Sequence, residues 1–254
     1  MNKFYRRLIP FLGALLLLGG NLLAQDEPNF YQMLKRIDAQ TNFKNTDLSA
    51  RVTLVQRKPG EDDNVIQCEY FRRDSQDKFV ILILKPDAQR GQGYLKIGDN
   101  ITFYDPESRQ FSTVTGSSNF QGSDAKNSDF QDSTLAEDYK VANAVREKLV
   151  NKDTWVLTLK ALRDTVTYPK RKIWVEASTD LILKSEDYSL SGRLLRTSLY
   201  GRYIEIEHRF IPQIMRFEDD LRTGQVTMIA LDHPSLAHLP DSLFTRLYLE
   251  KVSQ

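Results

Sequence analysis

The sequence of 254 residues has one cysteine, three histidines and almost no net charge. Cys68 alone cannot form an intramolecular disulfide, and no cysteines and histidines have the spacing of a structural zinc site. With 35 basic against 34 acidic side chains, the chain lacks the basic excess with which nucleic-acid-binding proteins neutralise phosphates. These absences exclude a disulfide scaffold and argue against a general nucleic-acid binder.

Motifs of catalysis are missing as well. No G-x-S-x-G nucleophile elbow, phosphate-binding glycine loop or dinucleotide fingerprint occurs. His233 and His238 are five residues apart with Pro234 between them, which is not the spacing that places two histidines on one helical face. The sequence therefore predicts no enzyme, no metal site and no cofactor.

The first 24 residues differ from the rest of the chain. Lys3, Arg6 and Arg7 precede the apolar run LIPFLGALLLLGG, and a polar segment follows Ala24. This pattern predicts a secretory signal peptide over residues 1–24, cleaved after Ala24. The alternative is an uncleaved membrane anchor, for which the run is short compared with a span of about 20 residues. Cleavage would change the net charge from +1 to −2 and leave residues 25–254 as a soluble periplasmic protein without stable membrane insertion.

The pattern after the leader predicts one helix followed by many strands. Pro28 suits the first helical position, and Phe30, Met33, Leu34 and Ile37 recur on one helical face. Short strands and turns begin at Asp47, and the six apolar residues 79–84 predict a strand buried on both faces. A meander of strands resumes after Lys152 and ends in a short helical turn capped by Asp241 or Ser242. Without a repeat or linker, residues 25–254 are expected to form a single domain.

Residues 116–148 interrupt the strands. The first part is rich in Ser, Asn, Asp and Gly, with Phe120 and Phe130 as isolated aromatics, and the stretch TLAEDYKVANAVREK has weak helical character. One interpretation is a surface loop, and the other is a lid or plug over a site. An extended sheet with apolar faces must be covered, so this segment and the first helix would enclose either a packed core or an apolar cavity. A cavity would suit acyl chains, since each buried CH₂ contributes about 0.8 kcal/mol.

Several segments resemble the LolA-like superfamily of periplasmic outer-membrane lipoprotein-sorting proteins. They are KPDAQRGQGYLKIGDNITFYDPESRQ (85–110), FQGSDAKNSDF (120–130), DTWVLTLKA (153–161), TYPKRKIWVEASTDLILKSEDYSLSGRLLRT (167–197) and LPDSLFTRLYLE (239–250). The resemblance implies a mainly β fold with some α: an unclosed antiparallel β-barrel, or half-barrel, with an N-terminal helix and a loop-helix lid. It also implies a periplasmic carrier that binds acyl chains of lipoproteins or lipids and moves them toward the outer membrane, without catalysis or cofactor.

This hypothesis assigns two sets of residues and a set of partners. The predicted lipid-binding cavity consists of apolar strand positions: Val52, Leu54, Val80, Leu82, Leu95, Ile101, Phe103, Trp155, Leu157, Leu159, Trp174, Ile204, Ile206 and Met228. The predicted lid consists of Phe30, Tyr31, Met33, Leu34, Phe120 and Phe130. The expected partners are lipoprotein acyl chains or phospholipid, and an inner-membrane ABC transporter or exporter. The alternatives are a periplasmic sensor or regulator of the same fold and an adaptor of a membrane exporter complex.

Overall fold

Thirteen antiparallel strands form one sheet in the computed structural model, which describes residues 27–253. The predicted signal peptide lies outside the described residues. The helices are α1 (Phe30–Thr41), α2 (Leu135–Asp138) and α3 (Arg246–Val252). The strands are β1 (Leu48–Arg57), β2 (Asn64–Arg73), β3 (Lys78–Lys85), β4 (Gly93–Ile97), β5 (Asn100–Asp105), β6 (Gln110–Val114), β7 (Tyr139–Leu149), β8 (Lys152–Ala161), β9 (Lys170–Glu176), β10 (Ile182–Tyr188), β11 (Leu194–Ile206), β12 (Arg209–Asp219) and β13 (Val226–Ser235).

The order of the strands explains why one long connection is needed. The first strand, β1, lies in the middle of the sheet between β2 and β13, and the chain then runs outward in hairpins to the edge strand β6. The next strand, β7, forms the opposite edge, and β7 to β13 return step by step to β1. Residues 115–138, here called the crossing segment, therefore connect the two edges. The sheet is not closed into a barrel, so the predicted half-barrel fold is confirmed.

The two faces of the sheet are covered by different parts of the chain. The face that contacts α1 and the crossing segment is called the inner face, and it carries two clusters of buried apolar side chains. The opposite, outer face carries a third cluster under the C-terminal residues Leu243, Phe244 and Leu249. The central strand β3 contributes to both faces: Val80 and Ile81 are each fully buried, as the apolar run predicts.

Helix α1 begins at a different residue from the predicted one. Asn29 caps it by accepting a hydrogen bond from the Gln32 amide at 3.1 Å, so Phe30 and not Pro28 is its first residue. An asparagine side chain satisfies a free amide of the first turn, which proline cannot do. Met33, Leu34 and Ile37 are buried, which confirms the predicted apolar face. No helix in residues 27–253 is long and apolar enough to cross a membrane.

Helix α3 closes the outer face over β3 to β5. Thr245 caps it by accepting from the Tyr248 amide at 3.2 Å, whereas Asp241 and Ser242, the predicted caps, lie in a preceding short 3-10 turn. Leu249 is fully buried against Gly93, where an added Cβ would lie 2.5 Å from a Leu249 methyl group. The glycine therefore allows the helix to approach the sheet closely.

The weak helical character predicted for residues 134–148 is wrong for most of that stretch. Only α2 is helical, and Tyr139–Leu149 forms the edge strand β7. Pairing with β8 along the whole strand overrides the local propensity, because Val141 and Val145 also fit a pleated surface. As an edge strand β7 exposes most of its side chains, which removes the alternation that would have identified it.

Candidate functional site

A cavity of about 1130 Å³ lies between the inner face, α1 and the crossing segment. Its volume matches or exceeds the ~300–1,000 Å³ of typical small-molecule sites. Its apolar wall includes Phe43 behind α1, Leu48 and Val52 of β1, Ile211, Met215 and Phe217 of β12, and Ile229 and Leu231 of β13. Polar side chains of the crossing segment, of β9 and of β11 complete the wall, so the cavity is apolar on one side and charged on the other.

Nine of the fourteen predicted cavity residues lie on the inner face. Val52, Leu54, Ile101, Phe103, Ile204 and Ile206 belong to or pack against the cluster that contains Phe120 and Phe130, and Trp155, Leu157 and Leu159 belong to the cluster under α1. Of these nine, Val52 and Ile101 border the 1130 Å³ cavity itself. The others form the packed floor around it.

The remaining five lie on the outer face, which corrects their assignment. Val80, Leu82 and Leu95 are in the cluster covered by α3. Trp174 alternates with Ile173 and Val175, which face α1, and Met228 adjoins Ile229, which faces the cavity. Because a one-residue shift reverses the face of a strand residue, apolar character alone does not decide the side when both faces are covered.

Five of the six predicted lid residues cover the inner face. Phe30 packs edge-on against Trp155 with ring centroids 5.1 Å apart, and Met33 and Leu34 are buried in the same cluster. Tyr31 is 50% exposed and instead borders a separate groove of about 610 Å³ between α1 and β7.

Phe120 and Phe130 insert from the crossing segment into the inner cluster. Their rings lie 4.7 Å apart, and Phe120 is 4.9 Å from Tyr94 of β4. Phe120 is fully buried, and Phe130 also borders the cavity. The two aromatic side chains thus plug part of the space that the half-barrel would otherwise leave open.

Polar contacts fix the crossing segment to the sheet. Asp124 accepts hydrogen bonds from Gln225, just before β13, at 2.7 Å and from the Thr227 hydroxyl, at the start of β13, at 2.9 Å. Gln56 of β1 donates to the Gly122 carbonyl at 2.6 Å, and the Tyr70 hydroxyl donates to the Phe130 carbonyl. The segment is therefore held by specific bonds in addition to its aromatic plug.

Asp38 of α1 holds the end of the crossing segment. Its carboxylate accepts from the Ser133 hydroxyl at 2.5 Å and from the amides of Leu135 and Ala136 at 2.9 and 2.8 Å, so it caps α2 from another helix. Burial raises the pKa of Asp38 above its ordinary value of 3.8, and the nearby Asp138 acts in the same direction. The three hydrogen bonds lower the pKa but do not overcome the effect of burial. Asp38 therefore links α1 directly to the lid.

The raised pKa of Asp38 gives a pH dependence of known sign. The folded chain binds this proton more tightly than the unfolded chain, so the contribution of Asp38 to the free energy of unfolding grows as the pH falls toward 3.8. In Asp38→Asn this titration is absent. We expect the difference in unfolding free energy, wild type minus variant, to be larger at about pH 4.5 than at about pH 7 in urea titrations.

An opposite control is Asp63→Asn. A hydrogen bond from Arg57 lowers the pKa of Asp63, so its contribution is lost, not gained, as the pH falls. A wild-type-minus-Asp38→Asn difference that stays constant or shrinks on acidification would contradict the prediction.

The charged wall of the cavity contains a buried ionic cluster that sequence analysis missed. Arg196 of β11 donates to both oxygens of Asp129 in the crossing segment, at 2.6 and 3.0 Å, and through Nε to Asp187 of β10 at 3.0 Å. Arg171 of β9 donates to the other Asp187 oxygen at 2.7 Å. Burial disfavours the Arg196 cation, but the two carboxylates overcome it and raise the pKa of Arg196 well above its ordinary value. The cluster ties the crossing segment to three strands.

The sequence offers one weak sign that these charged residues are buried. Arg171 is two residues from the buried Ile173 on the same strand and therefore lies on the same face, and Asp187 is opposite Arg171 on the next strand. Charged residues on alternating positions ordinarily indicate a solvent face, so their burial depends on partners that the sequence does not reveal. Within residues 27–253 no group of three or more His, Cys, Asp or Glu is placed to hold a metal ion.

The fold and sequence are similar to those of known proteins. A family model described as "Uncharacterized protein" matches residues 75–251. A LolA superfamily protein from Nitrosomonas europaea is 26% identical with a TM-score of 0.75, covering 85% of this chain and 97% of its own. A putative outer membrane lipoprotein-sorting protein domain from Vibrio parahaemolyticus is 19% identical (TM-score 0.76, 87% and 97% covered).

A DUF1329 family protein from Desulfovibrio piger is also 19% identical, with a TM-score of 0.76 and coverage of 86% and 97%. The comparison with curated proteins gives no match. The predicted resemblance to the LolA-like superfamily is confirmed, and these three structures share the fold over 85–87% of this chain.

Proposed function

We propose that this chain is a periplasmic carrier of acyl chains. The premise is that it belongs to the family whose model, described as "Uncharacterized protein", matches residues 75–251, and that it has the LolA-like fold. In this proposal the chains of lipoproteins or phospholipids enter the inner cavity and are moved toward the outer membrane. The observation that carries the proposal is the 1130 Å³ cavity between an unclosed sheet and a crossing segment. The chemistry is binding and release, without catalysis.

The apolar wall supports the acyl-chain ligand. Leu48, Val52, Ile211, Met215 and Ile229 border the cavity side by side on β1, β12 and β13. Each CH₂ group that leaves water for such a wall gains about 0.8 kcal/mol, so a chain of ordinary length gains enough to offset the loss of its own freedom. A small polar metabolite would gain nothing from this wall.

The crossing segment supports controlled uptake. It covers the inner face from one sheet edge to the other, and its bonds to Asp38, Gln56, Tyr70 and Thr227 are individually modest. A segment fixed by separable polar contacts opens at lower cost than a strand of the sheet, which would break a whole ladder. Opening of this segment would set the rate of loading and release.

The transport direction and partners extend this proposal. A predicted signal peptide and a predicted net charge of −2 after cleavage favour an exported protein that does not adhere to anionic membranes. The donor would be an inner-membrane ABC transporter or exporter that inserts acyl chains into the cavity. The similar protein from Vibrio parahaemolyticus is described as a putative lipoprotein-sorting protein domain. This description supports acyl chains as the cargo that we propose for this chain.

A matched pair of methionines tests the proposal. Met215 of β12 borders the cavity, whereas Met228 lies beside it on β13 but on the outer face, and both are half-buried. In Met215→Glu an anionic side chain would face the acyl chain. Lipid binding should weaken because the acyl chain would displace water from this carboxylate, and its desolvation is costly. We expect acyl lipid co-purifying with the mature periplasmic protein to fall at least about tenfold, measured by native mass spectrometry and lipid extraction.

Met228→Glu is the control. It introduces the same charge one strand away on the opposite face, so its lipid content should equal that of the wild type. Loss of lipid in Met228→Glu with retention in Met215→Glu would reverse the assignment of faces. Absence of acyl lipid from the wild type, before and after incubation with phospholipid vesicles, would refute the carrier function.

A further inference from the structure

One guanidinium in the cavity wall is bonded to a single carboxylate. Arg171 donates from Nε to Asp187 at 2.7 Å, and its terminal nitrogens, which lie beside the Tyr139 hydroxyl, pair with no second carboxylate within residues 27–253. The residue borders the 1130 Å³ cavity, and its side chain is 18% exposed. These terminal N–H groups are therefore accessible to a ligand in the cavity.

The neighbouring carboxylates do not satisfy this cation. Both oxygens of Asp129 accept from Arg196, and one oxygen of Asp187 accepts from Arg196 as well. Arg196 thus has all three of its nitrogens bonded to carboxylates, whereas Arg171 bonds a single carboxylate oxygen, the other oxygen of Asp187. The geometry leaves Arg171 as the incompletely neutralised member of the pair, and arginine binds phosphate or carboxylate oxygens most strongly through its two terminal nitrogens.

A buried hydroxyl group without a partner belongs to the same cavity wall. Tyr168 borders the cavity and is 6% exposed, and its hydroxyl has no hydrogen-bond partner in the described chain. Its ring lies 6.0 Å from the Arg171 guanidinium and 5.0 Å from that of Arg196. Burial raises the pKa of Tyr168, so the hydroxyl keeps its proton, and no group of the described chain accepts it. A buried hydroxyl without a partner is costly unless a ligand completes it.

We propose that Arg171 and Tyr168 form an anion subsite that binds a phosphate group at the charged end of the cavity. The phosphate is that of a phospholipid headgroup or a free phosphate ion, and in the first case the acyl chains would lie along the apolar wall of β1, β12 and β13. The lipid form of this inference rests on the proposed carrier function, whereas the anion subsite itself does not. It favours phospholipids over neutral diacyl lipids as cargo.

Two lipids with identical chains test the subsite. Dipalmitoyl phosphatidic acid carries the phosphate and dipalmitoylglycerol does not, and binding of each is measured by displacement of a fluorescent fatty acid. The wild type should bind the phosphatidic acid about tenfold more tightly. Arg171→Gln should reduce this ratio to about one while leaving dipalmitoylglycerol affinity unchanged, and Arg171→Lys should retain part of it.

Further variants separate recognition from folding. Tyr168→Phe removes one oxygen and should lower the ratio without lowering the melting temperature, even if Arg171→Gln weakens the fold by releasing one Asp187 oxygen. Arg90→Gln is the control, since Arg90 is exposed and, among the described residues, forms an ion pair only with Asp87; it should behave as the wild type.

The outcomes distinguish the two proposals. Equal affinity of the wild type for both lipids, or a ratio unchanged in both Arg171→Gln and Tyr168→Phe, would overturn the phospholipid subsite and leave the carrier function standing. Failure of either lipid to bind would overturn the carrier function, and inorganic phosphate alone then decides the subsite. Phosphate binding by calorimetry that disappears in Arg171→Gln supports a free-ion site, and no binding overturns the subsite.

Discussion

Replacing Arg196 by alanine is expected to lower the free energy of unfolding by about 3–5 kcal/mol. Arg196 is almost fully buried, and its guanidinium bonds Asp129 through two nitrogens and Asp187 through the third. Alanine would leave Asp129 without its cation in a partly buried position, and it would leave Asp187 with Arg171 alone. Urea titration followed by tryptophan fluorescence measures the loss.

The substitution should also release the crossing segment before the whole chain unfolds. Asp129 is the point at which Arg196 joins that segment to β11, so we expect faster proteolysis within residues 115–134 under native conditions. Arg193→Ala, an exposed position just before the same strand, should change neither stability nor cleavage.

A double variant distinguishes the ion pair from simple loss of packing. Arg196→Met/Asp129→Asn removes the unpaired charge together with the cation, so it should recover part of the stability lost in Arg196→Met. If the two substitutions are additive, the bond to the crossing segment contributes nothing, and Arg196 acts through Asp187 and by packing over Tyr168 and Phe217.

Alternation predicted faces correctly where one face alone is strongly apolar. In β8 the sequence places Trp155, Leu157 and Leu159 on one side, and the structure buries all three under α1. In β3 the six-residue apolar run correctly predicts a strand buried on both faces, yet the same run contains no information on which side is inner. The sequence therefore assigns Val80 and Leu82 to the cavity, whereas the structure places them under α3.

The rest depends on distant parts of the chain. The cover on the outer face comes from Leu249, more than 150 residues from β3, and no local pattern announces that contact. The charged wall is similar: Arg171 and Asp187 look like solvent-facing residues until the sheet brings Arg196 beside them. Sequence patterns thus predicted the strands and the apolar residues, and the family resemblance implied the half-barrel, but neither indicated the polar half of its cavity.

Replacing Phe120 by alanine is expected to destabilise the fold by about 3–5 kcal/mol and to increase the uptake of acyl chains. Phe120 is fully buried between Tyr94 and Phe130, so its removal leaves a hole at the point where the crossing segment enters the inner cluster. The hole is apolar and remains dry, which makes it an extension of the space available to an acyl chain. Stopped-flow binding of a fluorescent fatty acid should show a higher association rate.

The ligand should then restore part of the lost stability. A ligand that binds only the folded state raises the melting temperature, and it should do so more for Phe120→Ala than for the wild type because it fills the vacated volume. Phe111→Ala is the control: Phe111 packs on the outer cluster, 4.7 Å from Tyr104, and is incompletely buried. It should cost less stability and leave uptake unchanged. Equal uptake by Phe120→Ala and the wild type would show that the crossing segment is part of a permanently packed core and not a lid over a binding site.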